Sequence, residues 1–270
     1  MIAAFLATWA ASALLGQAPA PAVADRRNTP EQRLESMRGA MKGYRVALEG
    51  DRPAPIRLAE APAFRVGRQK GNLLDGAIFL WLGEADRPEA AMEAFMLLEP
   101  DAPDGKWIHE FTSLATDPLT ASRDGKVRWH PAEAGLKFQP MPGAPKPAAT
   151  PAQRLRQMRA IADDFRADDN FGDNGWTALR MLTTPIARYG KAGATPEDGA
   201  LFAFVEGTDP EVFLFVEARK GADGPEWRYA LAPMGCWAVK VQLQGRQVWE
   251  LPRRQTGDPS RPLFTYQFWP

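Results

Sequence analysis

The chain has 270 residues and no formal net charge, with 33 Lys and Arg against 33 Asp and Glu, so it lacks the basic surplus that polyanion binding needs and argues against nucleic acid as a partner. A hydrophobic fraction of 45% with 10% aromatics is that of a packed chain rather than a disordered one, and the length allows two ordinary domains. The one cysteine, Cys236, cannot close an intrachain disulfide, so the fold must hold by its core alone.

Residues 1–24 read as a signal peptide. Ile2–Leu15 is apolar but too short for a comfortable membrane span, and Ala22 and Ala24 place small residues before a cleavage point at Asp25. No basic residue precedes the apolar run, and a retained anchor is the alternative. After cleavage no membrane span is expected, and the product would be exported to the periplasm, envelope or medium.

The next signal is repetition. Thr29–Arg38 returns as Thr150–Arg159 with seven of ten positions identical. Pro62, Arg65, Gly67 and Asp75-Gly76-Ala77 match Pro185, Arg188, Gly190 and Asp198-Gly199-Ala200 at an offset of 123; Trp107, Gly125 and Trp129 match Trp227, Gly245 and Trp249 at 120. Ordered matches of this kind predict a tandem duplication: a first α+β repeat over 29–139, a proline-rich linker over 140–149 with no helix or sheet of its own, and a second α+β repeat over 150–270.

Each repeat opens on a helix. Thr29 with Pro30 and Gln32, and Thr150 with Pro151 and Gln153, have the spacing of a capping box. Leu34, Met37 and Met41, and Leu155, Met158, Ile161 and Phe165, form apolar stripes, with Arg33, Arg38, Arg154 and Arg159 expected on the outer face. Six to eight short antiparallel strands are expected to follow in each repeat. Val239–Gln244 alternates strictly and runs into Gly245, and Asp124-Gly125 is a two-residue hairpin signal at the matching place. Ala77–Leu82, Ala94–Leu98, Leu201–Val205 and Val212–Val216 are apolar at every position, which implies burial on both faces: one under the helix, the other against the sister repeat, a partner or an apolar ligand. The expected fold class is α+β, each unit one N-terminal helix on a curved antiparallel sheet, cystatin-like or open-barrel-like.

Catalytic and metal signatures are sparse. His109 and His130 are the two histidines and the weak candidates for a ligand-binding pair, which could approach each other if their strands were neighbours. Asp163–Gly175 has the composition of a calcium loop but neither its alternating ligands nor its closing Glu, and reads as a turn after the helix. Cys236, in a strand-like run beside Trp237, reads as a buried small hydrophobe. Glu99 and Glu217 are matched ends of the apolar strands. The recurring tryptophans read as core. No catalytic residue, metal or cofactor is assigned.

Asp198-Gly199-Ala200-Leu201-Phe202-Ala203-Phe204-Val205-Glu206-Gly207-Thr208-Asp209-Pro210-Glu211, with Tyr229-Ala230-Leu231-Ala232, resembles uncharacterised exported proteins of Planctomycetes-type bacteria. The resemblance covers most of the second repeat, implies an envelope or secreted location, and brings no activity with it. The expected function is a non-catalytic exported module that binds or scaffolds an unknown protein or apolar small-molecule partner. A carrier with a sheet-lined cavity and a hydrolase with a site between the repeats are the alternatives.

Overall fold

In a computed structural model of the chain, the structure describes residues 29–49, 55–67, 72–99 and 102–268; the signal peptide predicted at 1–24 lies outside them. The fold is α+β: two helices on antiparallel sheet.

Helix α1 (Pro30–Lys42) starts where Thr29 and Gln32 cap one another, the Gln32 N–H donating to Thr29 Oγ1 and the Thr29 N–H to Gln32 Oε1. Its stripe buries Met37 and Met41. Arg33 is also buried, contrary to expectation. Its Nε donates to Asp75 Oδ2 at 2.7 Å, and Arg65 closes on the same carboxylate at 2.5 Å while donating to the Pro30 carbonyl at the helix start. A buried guanidinium is tolerable because its carboxylate is held in place beside it.

Strands β1 (Tyr44–Leu48), β2 (Pro55–Leu58), β3 (Phe64–Val66), β4 (Leu73–Leu82), β5 (Pro88–Glu99), β6 (Ala102–Ser113), β7 (Leu119–Arg123) and β8 (Lys126–Trp129) follow. The sheet runs β6-β5-β4-β2-β1-β7-β8, with β3 also on β4, and curls around α1. Asp124 and Gly125 turn the β7–β8 hairpin with φ of 53° and 72°, as a two-residue turn of this hand requires.

A two-residue strand β9 (Gln139–Pro140) leads to helix α2 (Pro151–Asp163) and strands β10 (Phe165–Asn170), β11 (Thr177–Ala178), β12 (Arg180–Met181), β13 (Ala187–Tyr189), β14 (Asp198–Glu206), β15 (Asp209–Gly221), β16 (Gly224–Pro233), β17 (Ala238–Leu243), β18 (Arg246–Leu251) and β19 (Leu263–Phe268). One sheet here is β11-β10-β17-β18, the other β12-β14-β15-β16-β9 with β13 on β14. Joined through Leu179, which separates β11 from β12, they follow the order of the first sheet. The ion cluster recurs too: Arg154 donates to Asp198 at 2.8 Å, and Arg188 to Asp198 and to the Pro151 carbonyl. Arg154 is therefore buried like Arg33, not on the outer face.

The chain after each half lends an edge strand to the other. β9 pairs with β16, and β19 pairs with β6. Just before β19, the carbonyls of Pro259, Ser260, Arg261 and Pro262 accept from His130 N, Ala132 N, Trp129 Nε1 and Ser113 N, so that segment spans from the end of β8 to β6 and leaves a nearly closed, barrel-like sheet. The predicted linker thus begins inside a strand, and the last strand of the predicted second repeat belongs to the first sheet. Helix α2 ends at Asp163, so Phe165, expected in its stripe, and the residues after it, expected as a turn, form β10 instead, because Phe165, Ala167 and Asp169 alternate inward against β17. Cys236 lies in the bend between β16 and β17, not in a strand.

The apolar strands divide by period two. Ala77, Phe79 and Trp81 face α1, while Ile78 and Leu80 face away; Phe202, Val212 and Leu214 face α2, while Leu201, Ala203, Phe213 and Phe215 face away. The residues facing away, from both halves, meet in one cluster with Leu136 and Met234. This sheet-on-sheet seam is the second cover that the all-apolar strands require. Each Phe enclosed there contributes about 1.5–3 kcal/mol relative to exposure.

Candidate functional site

The seam is apolar in its middle and charged at both ends, and the two ends are built from matching positions. Pro88 pairs with Leu82 in one half and Pro210 with Val205 in the other, each beside a register shift that leaves Glu89 and Glu211 unpaired at a bulge. Arg87 precedes the first bulge and Asp209 the second.

At the Arg87 end the charges are matched. The Arg87 guanidinium lies 2.6 Å from Glu89 Oε2 and 2.9 Å from Glu217 Oε1 and also donates to the Leu114 carbonyl. Glu217 further accepts from Tyr189 Oη and Arg219 Nε. The rings of Phe138 and Phe215 lie 5.5 and 5.4 Å from the guanidinium carbon. Burial alone would depress Arg87, but the Glu217 and Glu89 carboxylates outweigh it and hold the guanidinium above its ordinary value. Burial pushes Glu89 up, opposed by Arg87, and burial with the Glu217 charge drives the Tyr189 phenol well up.

At the Asp209 end the acids outnumber the bases. Glu93 and Glu110 stand directly opposite each other on β5 and β6, and Thr265 of β19 donates to Glu110 at 2.8 Å. Glu211 comes from the bulge, Asp209 and Glu206 face each other at the β14–β15 turn, and Asp169 comes from β10. One carboxylate oxygen from each of Asp169, Glu206 and Glu211 lies within 4.8 Å of the others. Glu93 is 3% exposed and Glu211 4%, yet Glu93 Oε1 and Glu211 Oε2 accept no hydrogen bond. Among the described residues no Lys, Arg or His lies within ion-pairing distance of Glu93, Glu110, Asp209 or Glu211. Burial, then the Asp209, Glu110 and Glu211 charges, drives the Glu93 carboxyl well above the usual range. Burial and the same neighbourhood do so for Glu211 and push Asp209 up to about 7 and Glu110 to about 8. Arg254 donates to the carbonyls of Gly235 and Pro252, while its buried Nε has no acceptor. Burial lowers Arg254, and burial with the Glu110 and Glu211 charges pushes the Cys236 thiol up to about 11.

Arg254 also borders a cleft of about 810 Å³ at the edge of the apolar seam, with Leu136 common to both. Leu136, Tyr229, Leu231, Trp249, Leu251 and Leu263 form its walls. Lys137, Arg254 and Arg261 supply positive charge against the single acid Asp258.

The two histidine candidates are not brought together as a pair. Their strands are not neighbours: β6 lies between β5 and β19, and β8 pairs with β7. His109 is buried with its Nδ1 2.9 Å from Tyr44 Oη, and burial together with Arg123 depresses it to about 3. His130 is exposed, 3.0 Å from Thr120 Oγ1 and 3.2 Å from Glu49. Cys236 is half-buried and free. Of the tryptophans, Trp81, Trp129 and Trp227 are buried, while Trp176 is exposed with Lys240 4.3 Å from its ring. The side chain of Glu99 lies outside the described residues.

The acid cluster escapes a reading by motif because its members come from five strands. Its trace in the sequence is an acid inside an apolar run: Glu93 within Ala90–Leu98, and Glu211 opening Val212–Val216. No protein family, curated protein or solved structure matches the chain. Among the described residues no helix is long and apolar enough to cross a membrane.

Proposed function

We propose that this chain is a non-catalytic exported binding module, made of two copies of one α+β unit, whose ligand is a small molecule with an apolar body and an anionic end. The observation that carries the reading is the cleft beside the seam. Its volume of about 810 Å³ is in the range of small-molecule sites. Its walls are leucines with Tyr229 and Trp249, and three cations stand against one acid. The duplication is supported by the repeated strand order, the repeated bulge and the repeated Arg–Asp–Arg cluster. Export is supported by the segment at 1–24 and by the resemblance of the second repeat to exported proteins.

The seat of the ligand differs from the one a carrier built on the doubly apolar strands would use, since those strands close on each other. A hydrolase between the repeats would need acids that reach a substrate. Glu93, Glu110 and Glu211 are at most 9% exposed, and none lines the cleft.

Isothermal titration of the full chain with dodecanoate, and with dodecanol as the uncharged match, tests the proposal. Dodecanoate should bind with one site per chain and dodecanol at least about tenfold more weakly. Trp249→Ala should weaken both, and the double change Lys137→Ala with Arg261→Ala should erase most of the difference. Equal binding of the two ligands, or none of either, would overturn the reading.

A further inference from the structure

We propose that Asp169, Glu206 and Glu211 form a binding site for a hard divalent cation of the calcium or magnesium class. Three strands deliver one carboxylate oxygen each to within 4.8 Å of one another, and an all-oxygen donor set suits these cations rather than softer metals. Convergence of acids alone would not carry this. The second observation is Glu211, which is 4% exposed, leaves Oε2 without a donor, and has no ion pair among the described residues. A buried carboxylate is expensive unless it is paired, hydrogen-bonded or bound to metal.

The matching place in the other half shows what such a carboxylate requires. There Glu89, the counterpart of Glu211, lies 2.6 Å from Arg87. Here the residue before the proline is Asp209, so the chain's own cation is replaced by another acid. A dissolved cation would restore the balance that Arg87 supplies covalently. The surroundings permit it. Gly235 leaves room for Glu211 Oε2, since a Cβ at that position would collide with it. Glu206 is only half-buried and offers a way in from solvent. Glu93, Glu110 and Asp209 stand around the three ligands and supply further carboxyl oxygens, so the neighbourhood is acidic rather than apolar.

The test uses the full chain stripped with a chelator and titrated separately with calcium, magnesium and manganese by calorimetry and by thermal melting. At least one ion should bind at one site per chain and raise Tm by roughly 5–10 °C at a hundredfold excess over Kd. Glu211→Gln and Glu206→Gln should each weaken binding at least about tenfold, while Glu60→Gln, at an exposed site in the other half, should leave it unchanged. Glu206 sits at the rim, so its variant reads the site even if the Glu211 variant fails to fold. Absence of binding by all three ions, or wild-type affinity in Glu206→Gln, would overturn the proposal and leave the cluster as acids held protonated by burial.

Discussion

The two ends of the seam start from the same plan and solve it in opposite ways. Both place a proline on a β-bulge, an unpaired glutamate after it and a charged residue before it. With Arg87 in that last position, Glu89 and Glu217 are neutralised in place and Tyr189 and Arg219 complete the network. With Asp209 there, Glu211 joins Glu93, Glu110, Glu206 and Asp169 in a cluster of carboxyl groups. Sheet packing fixes the position of the charges at both ends, but it does not fix their sign. The residue before the proline decides whether the unpaired glutamate after it has a built-in cation beside it.

The sharpest way to break this comparison is to remove the built-in cation. Arg87→Ala would leave the buried Glu89 without its cation and Glu217 with only Arg219 and Tyr189, and should cost about 3–5 kcal/mol in chemical denaturation, the usual penalty for breaking a buried pair. A loss below about 1 kcal/mol would mean that Tyr189 and Arg219 suffice and that the ends are less different than they look. A smaller effect is expected from Gly235→Ala at the other end. The added methyl meets Glu211 Oε2, so the strand carrying Glu211 or the bend carrying Gly235 must shift, at about 1–3 kcal/mol for overpacking. An unchanged midpoint of unfolding would show that Glu211 can swing clear, and that its position is not imposed.

Most of the scaffold is legible in the sequence because it rests on short-range signals. The N-caps at Thr29 and Thr150, the turn at Asp124-Gly125 and the alternation of Val239–Gln244 each act within a few residues and appear where expected, although only Thr29 closes the full capping box: the Gln153 side chain accepts from the Thr150 hydroxyl instead of the backbone N–H. The apolar strands also announce a two-faced burial, and the seam supplies it. What escapes a linear reading is charge that the fold turns inward. Arg33 and Arg154 look like outer-face residues because their acids lie 42 and 44 residues downstream. Asp169 looks like a turn residue because its run is rich in Asp and Asn, yet pairing with β17 draws it into a strand. His109 and His130 look like a pair only while the strand order is unknown. The exchange of β9 and β19 has no local signal at all, since the partner strands lie across the molecule.

The finest discrimination between the two ends comes from pH. In the chelator-treated protein, Glu110 and Asp209 hold their protons to about 8 and about 7, whereas in the unfolded chain such carboxyls ionise near about 4. Between those limits the native state binds protons that the unfolded state has lost, so stability from these groups is complete below about pH 4 and is lost as pH rises through about 7 and then about 8. The groups facing them are Glu93, Glu211, Glu206 and Asp169, with Arg254 and Cys236 the neighbours that carry no negative charge at neutral pH. Glu110→Gln keeps an oxygen for the Thr265 hydroxyl but cannot ionise. Urea midpoints taken from pH 6 to 9 should therefore fall in the wild type, by no more than about 1.4 kcal/mol per pH unit for each proton, and fall less steeply in Glu110→Gln. Glu217 at the other end already faces Arg87 and Arg219, so Glu217→Gln should shift the whole curve without flattening it. If instead the two variants changed the slope alike, the acid end would be no more proton-dependent than the Arg87 end, and the contrast drawn from Asp209 would fail.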